Sequence, residues 1–491
     1  MRLHIVLVVS LVTLASAAFA QITSATITGT IKDETGGLLP GVDVTVSNVQ
    51  TGLNRSVVTD DNGYFTVPGL APGTYEARAS IQGFTTAVQS GIVLEVAQQA
   101  ALNLVLKVGA ASETITVSGE APLIDLRTSA LSAVVPEKTI EELPLNGRNF
   151  ISLATLQPGV VQFTERLPSG SSTKGVQLNI NGMGGRSNSY LLDGANMRNF
   201  AGVASVTAAD STLGVETIRE FRVVTNAFSA DYGRVMGGII NIATKSGTNA
   251  LHGSGFEFFR NSRMDARNFF DPGEPPPFTR HQYGGAVGGP IVKNRVFFFG
   301  GYERLQEDLG QTVITAVPTA AVRTGVVNPA VRPYLDLYPL PNGPSLGPDI
   351  AQYTYAFTRT TRENFLQGRV DVQLSHKDLL FVRHTSDRTH QVFPGAGALA
   401  SSLYPQFFTV GSSNNQLFTV EETRTFSDRL FNSVRFSRSD LFYGQVPGYN
   451  LAQPLPFFQG AGVVGTIDVG GLSRMGTDPT SPVTQPMKYL T

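Results

Sequence analysis

The sequence predicts a mainly β protein in three parts: an N-terminal β-sandwich, a small α+β unit, and the first part of a large antiparallel transmembrane β-barrel. Three observations predict this. Glycine is abundant, at 51 residues, while charged residues make up only 15% of the chain, which favours strands and turns over helices. Short alternating segments broken by turns continue to about Val108. After Asn249 the alternating segments become longer and carry Phe and Tyr near their ends.

Residues 1–20 have the pattern of a secretory signal peptide. Arg2 supplies the positive start, Ile5 to Leu14 the apolar core, and Ala18 to Ala20 the small residues of a cleavage site. Cleavage after Ala20 would leave Gln21 as the N-terminus and implies export through the Sec pathway. The apolar core is too short to span a bilayer, and no later segment has the roughly 18 to 20 unbroken apolar residues of a membrane helix. If the protein lies in a membrane, it must do so as a barrel.

Residues 21–110 predict the β-sandwich, with six or seven short strands at intervals of about ten residues. Segments such as "ATITGTIKD" and "GVDVTVSN" alternate between apolar and polar residues, and turn residues separate them. The acidic segment Asp60 to Gly63 ("DDNG") lacks the further oxygen ligands that a calcium loop needs. A tight turn is therefore the preferred interpretation of this segment.

The composition of residues 111–133 predicts a linker that contains one weak strand, "ETITVSG" (Glu113 to Gly119). An extended segment of this kind can be captured by another sheet through main-chain hydrogen bonds. Residues 134–247 predict the α+β unit. A short helix is expected around Lys138 to Leu143, and a second helical stretch through Ile151 to Leu156 should stop at Pro158 and Gly159.

Residues 248–491 predict strands of ten to twelve residues joined by polar, Pro-rich loops. Asn364 to Ser375 is the clearest example, with Leu366 and Val370 on one face and Gln367 and Arg369 on the other. A soluble sheet with a buried apolar face would also alternate. The strand length and the terminal aromatic residues favour a transmembrane barrel instead.

Catalytic chemistry finds no support in the sequence, and we expect no enzyme, no cofactor and no metal site. Cysteine is absent, and the six histidines are scattered, with no His-Glu-x-x-His motif. The glycine clusters lack the following Lys-Ser/Thr of a phosphate-binding loop. Asp193 precedes Gly194 and is interpreted as a hairpin-turn residue, while Arg219, Glu220 and Arg222 are expected to pair with one another or to face a wet interior. The formal net charge of -1 argues against a nucleic-acid partner.

Two known families resemble parts of this chain. The segments "GTIKDETGGLLPGVDVTV" and "TDDNGYFTVPGLAPGTYEA" resemble the carboxypeptidase regulatory-like (transthyretin-like) domain, which is an accessory module and not a peptidase. The segments "LNINGMGGRSNSYLLDGANMR" and "IREFRVVTNAFSADYGRVMGGIINIATKSGTN" resemble the plug domain of TonB-dependent outer-membrane receptors. With "LPLNGRNF" and "HGSGFEFFR" added, the pattern is similar to the Oar-like branch of that family.

The second resemblance implies a motif that carries the chain from the plug into the barrel, with the boundary near Gly247. Its residues are Tyr232, Gly233, Gly237, Gly238, Asn241 and Gly247. Paired glycines at this point are interpreted as a place where the last plug strand packs closely, and "HGSGFEFFR" as the start of the barrel.

The resemblance also implies a transporter of the Gram-negative outer membrane, surrounded by outer-membrane lipid. Its energy would come from TonB and the inner-membrane complex that drives it. A TonB box, the short strand that pairs with TonB, is expected at Thr114, Ile115, Thr116 and Val117. The substrate stays open: oligosaccharide, peptide, siderophore or exported protein. An alternative function is an outer-membrane or secreted carbohydrate- or peptide-binding protein of the adhesion type, without transport.

One departure from the family concerns length. Its barrels have 22 strands, which need some 220 residues before any loop is added. Only 242 residues follow Asn249, much of this is loop, and about seven strands can be counted. We therefore expect the sequence to be an N-terminal fragment of a longer protein.

Overall fold

The computed structural model describes most of the chain, in fourteen segments. These segments are residues 24–109, 114–118, 131–143, 145–163, 177–198, 207–209, 211–226, 236–267, 274–325, 327–395, 403–427, 430–451, 464–477 and 483–490. The expected signal peptide, with its cleavage site between Ala20 and Gln21, lies outside them, as do Tyr232 and Gly233. The described strands form an N-terminal unit, a middle unit and a C-terminal sheet.

The N-terminal unit is a β-sandwich, as predicted. Its strands are β1 (Ala25–Asp33), β2 (Asp43–Asn48), β3 (Asn54–Val58), β4 (Tyr64–Leu70), β5 (Gly73–Ser80), β6 (Thr86–Leu94), β7 (Gln99–Ala101), β8 (Leu104–Leu106) and β9 (Thr114–Ser118). One sheet has the order β4-β1-β7, with β8 also paired to β1, and the other has the order β3-β2-β5-β6-β9. Alternate residues, among them Ile27, Val44 and Phe65, meet in one apolar core.

Two local features of the sandwich answer expectations from the sequence. Asp60 Oδ1 accepts hydrogen bonds from the backbone N–H groups of Asn62 and Tyr64, and Gly63 has φ 63°, so this segment is the expected tight turn. Strand β9 lies in the stretch predicted as a linker. It pairs in parallel with β6, with Thr86 opposite Thr114 and Ser90 opposite Ser118.

The middle unit is a small α+β domain built on a five-stranded sheet. Its elements are β10 (Leu131–Val135), helix α1 (Glu137–Glu142), β11 (Val160–Phe163), β12 (Gln177–Ile180), β13 (Ser189–Leu192), β14 (Ala195–Asn196), β15 (Ile218–Asn226) and β16 (Ile239–Thr244), with 3-10 turns at Asn146–Arg148, Phe150–Leu156, Gly185–Ser187 and Val215–Thr217. The sheet order is β10-β15-β16-β13-β14, and β11 and β12 form a separate ribbon. Phe150, Tyr190, Phe221 and Ile242 are buried in its core.

Two details of the middle unit differ from the prediction. Strand β10 begins at Leu131, inside the expected linker. The second helical stretch is a 3-10 helix, Phe150–Leu156, whose first turn is capped by the Asn149 side chain accepting from the Ile151 N–H. With Pro158 and Gly159 so close behind, the segment is too short to gain from a regular α-helix.

The C-terminal sheet consists of eight antiparallel strands in chain order. They are β17 (His252–Asn261), β18 (Phe278–Val292), β19 (Val296–Pro318), β20 (Ile350–Gln373), β21 (Asp378–Pro394), β22 (Phe407–Ser427), β23 (Leu430–Tyr449) and β26 (Val483–Leu490). The connections contain a 3-10 turn (Ser262–Met264), helices α2 (Ala320–Thr324) and α3 (Arg332–Leu335), and a ribbon of β24 (Thr466–Ile467) with β25 (Met475–Gly476).

Several of these strands are longer than the predicted ten to twelve residues, since β19 has 23 and β20 has 24. The strand expected at Asn364 begins at Ile350 and includes the alternating aromatic residues Tyr353, Tyr355 and Phe357. The C-terminal segment pairs with β23 as β26.

The C-terminal sheet has its apolar residues outside and its polar residues inside. Leu366, Phe418, Val434 and Phe436 are between 38% and 57% exposed. Inward-facing polar residues are almost fully buried, among them Glu363, Gln367, Arg383, Thr385, Asn415 and Glu421. A soluble sheet packed on an apolar core would show the reverse. The observed arrangement is that of a wall with lipid on its outer face and a polar interior.

The two ends of the wall carry connections of different length. Connections of only a few residues join β18 to β19, β20 to β21 and β22 to β23, whereas the other end carries longer connections such as the one between β19 and β20. Short turns lie on the periplasmic side of outer-membrane barrels and long loops on the outer side. No helix within the described ranges is long and apolar enough to cross a membrane.

Candidate functional site at the junction of the three units

The centre of the junction is Asp193, in the two-residue turn between β13 and β14. Asp193 and Gly194 have φ values of 45° and 77°, as a tight hairpin turn requires, so the hairpin interpretation is confirmed. This turn points at the strand wall. Asp193 Oδ2 lies 2.8 Å from Arg383 Nη1, and Asp193 Oδ1 lies 3.5 Å from Arg369 Nη1. The hairpin of the middle unit is thus tied to two strands of the wall, β20 and β21.

Asp193 is held as a carboxylate despite its complete burial. Burial raises the pKa of Asp193, but the positive charges of Arg383 and Arg369 lower it, and so do two hydrogen bonds from Thr244. Thr244 donates its N–H at 2.9 Å and its Oγ1 hydroxyl at 2.7 Å. The net result is a pKa below the ordinary value for aspartate. Strand β16, which contains Thr244, is therefore fastened to the same point.

A wider ion network on the wall surrounds this turn. Arg369 pairs with Asp371 at 2.8 Å on its own strand, and Arg435 pairs with Glu421 at 2.7 Å across β22 and β23. The Arg435 guanidinium lies directly over Gly194, where a Cβ atom would collide with it. Glycine at position 194 thus serves both the left-handed backbone and the close approach of the wall.

A second polar contact joins the middle unit to β18 and β19. The Arg148 guanidinium lies 2.8 Å from Glu216 Oε1 and 3.5 Å from Glu303 Oε1. Glu303 also accepts hydrogen bonds from the Gly214 N–H at 2.9 Å and from Gln282 Nε2 at 2.7 Å. The wall residue Glu303 is therefore fully occupied by groups from the middle unit and the neighbouring strand.

A third contact is made by the segment before β15. Ser211 Oγ donates a short hydrogen bond to Glu363 of β20, and the Ala208 N–H donates to Ser413 Oγ of β22 at 3.0 Å. Leu213 packs in a small apolar cluster with Leu305 and Phe365. Leu417 of β22 and Leu441 of β23 also join the apolar core of the middle unit, so apolar packing adds to the hydrogen bonds and ion pairs of this contact.

The sandwich is fastened to the middle unit through Val96, which follows β6. The Val96 N–H donates a short hydrogen bond to Glu220 Oε1, and Arg222 Nε donates to Val96 O at 2.7 Å. Arg222 also reaches Glu95 at 3.1 Å and Ser132 Oγ at 2.9 Å. We call this group (Glu95, Val96, Glu220, Arg222) the Val96 contact.

Burial within the Val96 contact raises the pKa of Glu220 to about 7. Arg219, Glu220 and Arg222 were expected to pair with one another or to face a wet interior, whereas the structure buries Glu220 and Arg222 and bonds both to Val96 of the sandwich.

The sandwich also touches the wall at the end with the short turns. Arg55 donates to Thr425 Oγ1 at 2.6 Å and to Thr423 Oγ1 at 3.1 Å, and the Asn249 N–H donates to Gln50 O at 3.0 Å. A cavity of about 150 Å³ lies between the three units, lined by residues such as Tyr75, Asp193 and Phe381. The sandwich thus covers the end of the wall that corresponds to the periplasmic side.

The expected plug-to-barrel motif crosses from the middle unit to the wall. A Cβ at Gly237 would collide with Asn188, and one at Gly238 with Ile180. Asn241 is fully buried in β16. A Cβ at Gly247 would collide with Phe298 O and would lie 2.6 Å from Gly289 O, both in wall strands. Gly247 is therefore required by the close approach of wall backbone atoms, whereas Gly237 and Gly238 pack against the side chains of Asn188 and Ile180.

Some residues of this junction could be predicted from the sequence and others could not. Thr114 to Val117 lie together in β9, as one extended segment. Arg148, Glu303, Arg369 and Arg383 were not predicted as site residues. The sequence did indicate a role for Arg369 and Arg383. A charged residue at an inward position of an alternating strand costs folding free energy unless a group in the interior pairs with it. Among the described residues, no group of three or more His, Cys, Asp or Glu side chains could hold a metal ion.

Comparison with known families agrees with this architecture domain by domain. Residues 26–107 match the carboxypeptidase regulatory-like domain, residues 125–239 the TonB-dependent receptor plug domain, and residues 243–328 and 326–487 an outer membrane beta barrel domain. The chain therefore belongs to the TonB-dependent receptors, outer-membrane proteins in which a plug domain sits inside a β-barrel. From here on the middle unit is called the plug and the C-terminal sheet the barrel wall.

Two curated relatives stand out. The chain is 29% identical over 304 residues to the TonB-dependent transporter Oar of Myxococcus xanthus, covering 58% of this chain and 27% of the relative. It is 28% identical over 226 residues to the probable TonB-dependent siderophore receptor PirA of Acinetobacter baumannii, covering 44% of this chain and 28% of the relative. The chain thus spans about a quarter of the length of these relatives. Both are named as a transporter or a receptor, and neither as an enzyme.

Among solved structures, a ferric enterobactin receptor mutant from Pseudomonas aeruginosa is 13% identical, with a TM-score of 0.45, covering 72% of this chain and 44% of that one.

Proposed function

We propose that this chain forms the accessory, plug and first wall segments of an outer-membrane transporter that passes a substrate through a plugged barrel. The energy is supplied by TonB and its inner-membrane complex. The observation that supports this is the polar attachment of the plug, centred on Asp193 between Arg369 and Arg383. Hydrogen bonds can be exchanged for bonds to water at a net cost of only about 1 kcal/mol each. A pull on the plug can exchange these polar contacts for bonds to water.

The TonB box is proposed at Thr114 to Val117, in β9. This segment is extended and precedes the plug, and the sandwich to which it belongs touches the end of the wall that carries the short turns. Thr116→Pro in the full-length protein should remove a main-chain donor from this strand and abolish binding of the soluble periplasmic domain of TonB. Thr116→Ser is the matched control, with binding unchanged. Equal binding by both variants would contradict the assignment of the box.

The substrate is best sought by growth of a deletion strain. We propose an oligosaccharide or a peptide as candidate substrates. A siderophore is a third candidate, because the relative PirA is named as a siderophore receptor. Each class is supplied as the sole source of its nutrient, or under iron restriction for the siderophore. A transporter predicts loss of growth on one class, restored by the intact gene. Normal growth on every class together with loss of surface attachment would favour the adhesion-type alternative.

Export through the Sec pathway is proposed from residues 1–20. N-terminal sequencing of the protein purified from outer membranes should begin at Gln21. An intact Met1 in that material would contradict cleavage after Ala20.

A further inference from the structure

Among the residues that the structure describes, strand β9 has a paired strand on one main-chain edge and none on the other. It stands last in the sheet order β3-β2-β5-β6-β9, and within the described residues it pairs with β6 alone. Five consecutive residues match in register, from Thr114 opposite Thr86 to Ser118 opposite Ser90. The candidate TonB box is therefore already held as an edge strand, with the N–H and C=O groups of its other edge available for pairing.

The strand that holds β9 also leads to the plug. β6 ends at Leu94, and the next two residues, Glu95 and Val96, belong to the Val96 contact with Glu220 and Arg222 of β15. β15 pairs with β16, which continues through Gly247 into the barrel wall. A force that pulls β9 along its axis acts on the hydrogen bonds between β9 and β6. From β6 it reaches the plug sheet through Glu95 and Val96.

Resting on the proposed function, the geometry points to a composite sheet: we infer that an extended strand of TonB adds to the open edge of β9 while β9 stays paired with β6. The sandwich then presents the TonB box to TonB and transmits the pulling force to the plug. Leaving β6 would cost β9 its ladder hydrogen bonds and its ordering before the partner strand repaid them. Addition to the open edge requires neither step.

A disulfide between β6 and β9 tests this directly. Ser90→Cys with Ser118→Cys places the pair at directly opposite positions. Neighbouring strands lie about 4.8 Å apart, within the Cα range of about 4.4–6.8 Å that disulfides accept. Residues 1–491 contain no cysteine, so no other disulfide can form among them. Thr45→Cys with Ser56→Cys, between β2 and β3, is the matched control elsewhere in the sandwich.

The measurement is the affinity of the full-length protein in detergent for the soluble periplasmic domain of TonB, with and without reductant. We expect oxidised and reduced Ser90→Cys/Ser118→Cys to bind within about twofold of each other. A loss of more than about tenfold on oxidation, recovered with reductant and missing from the control pair, would show that the box must leave β6 and would overturn the inference. Failure to bind in both states, with Thr116→Ser also inactive, would overturn the proposed function together with it.

Hydrogen exchange of the unmodified protein gives a second readout that needs no engineered bond. On addition of the TonB domain, amides of Thr114 to Ser118 should gain protection while those of Thr86 to Ser90 keep theirs. Loss of protection in β6 would contradict the composite sheet. Dimerisation of the protein alone through β9 would also contradict it, because a second copy would then occupy the open edge.

Discussion

Asp193 carries the attachment of the plug because it is a fully buried charge with two buried counter-charges. Arg383 has no exposed side-chain surface, so its charge depends on Asp193 for compensation. Burying one member of such a pair without the other costs several kcal/mol. At the scale of single residues, the position of the plug is thus decided by a few groups in the turn between β13 and β14.

Asp193→Asn should destabilise the protein by about 3–5 kcal/mol, because Arg383 would remain buried without a counter-charge. The thermal unfolding midpoint in detergent and the protease sensitivity of the plug measure this effect. Asp468→Asn is the control: the Arg474–Asp468 pair has a similar distance of 2.9 Å, but it lies in a connection outside the wall strands and its side chains are 43% and 60% exposed. Exposed pairs contribute about 0–1 kcal/mol, so equal effects from the two variants would contradict the assigned role of Asp193.

Gly247→Ala should disrupt the crossing from plug to wall, since its new methyl group would collide with backbone oxygens that cannot move aside. We expect reduced folding yield and loss of a heat-resistant band on gels. Gly368→Ala is the matched control, because a Cβ at Gly368 meets no heavy atom within 4 Å. A normal Gly247→Ala protein would mean that the close approach of Gly247 to Phe298 and Gly289 is not maintained.

At the scale of elements, β15 is the strand that connects the units. It pairs with β10 on one side and β16 on the other, and it presents Glu220 and Arg222 to the sandwich. The sequence "IREFRV" shows the charges of this strand but not the partner they meet, because Val96 lies more than a hundred residues earlier in the chain.

The contact of β15 with the sandwich should weaken as the pH rises from about 4.5 to 7. Folding raises the pKa of Glu220 from 4.5 to about 7, so the folded protein binds more protons than the unfolded chain in this window. The free energy of unfolding should therefore fall with rising pH, by on the order of 3 kcal/mol from this group. Unfolding followed at pH 5 and pH 7 measures the difference. Glu220→Gln should flatten it, and an unchanged slope in that variant would contradict the assignment.

At the scale of the whole molecule, the reversed distribution of polar and apolar residues defines the wall. Its inward face is polar because it meets a hydrated plug, and its outward face is apolar because it meets lipid. The alternation in Asn364 to Ser375 was visible in the sequence, but a soluble sheet would give the same period.

A comparison of Val434→Arg with Val105→Arg tests whether an exposed valine is surrounded by lipid or by water. Both side chains are 57% exposed, but Val434 lies in wall strand β23 and Val105 in sandwich strand β8. Arginine on a lipid-facing position costs about 2–4 kcal/mol near the membrane centre and little in water. We expect Val434→Arg to lower assembly into outer membranes of the full-length protein, and Val105→Arg to leave it unchanged. Equal assembly of both variants would contradict a lipid-facing wall.

The crossing near Gly247 was implied by the resemblance to a known family. The amino-acid sequence by itself determined the β-rich class and the succession of three units. These follow from local period, turn residues and glycine, which act over a few neighbouring residues. Only the tertiary structure decided that Asp193 meets Arg369 and Arg383, that Val96 meets Glu220, and that β9 lies beside β6. Those pairs join residues far apart in the chain, and which side chain compensates a buried charge depends on how strands from different units come together.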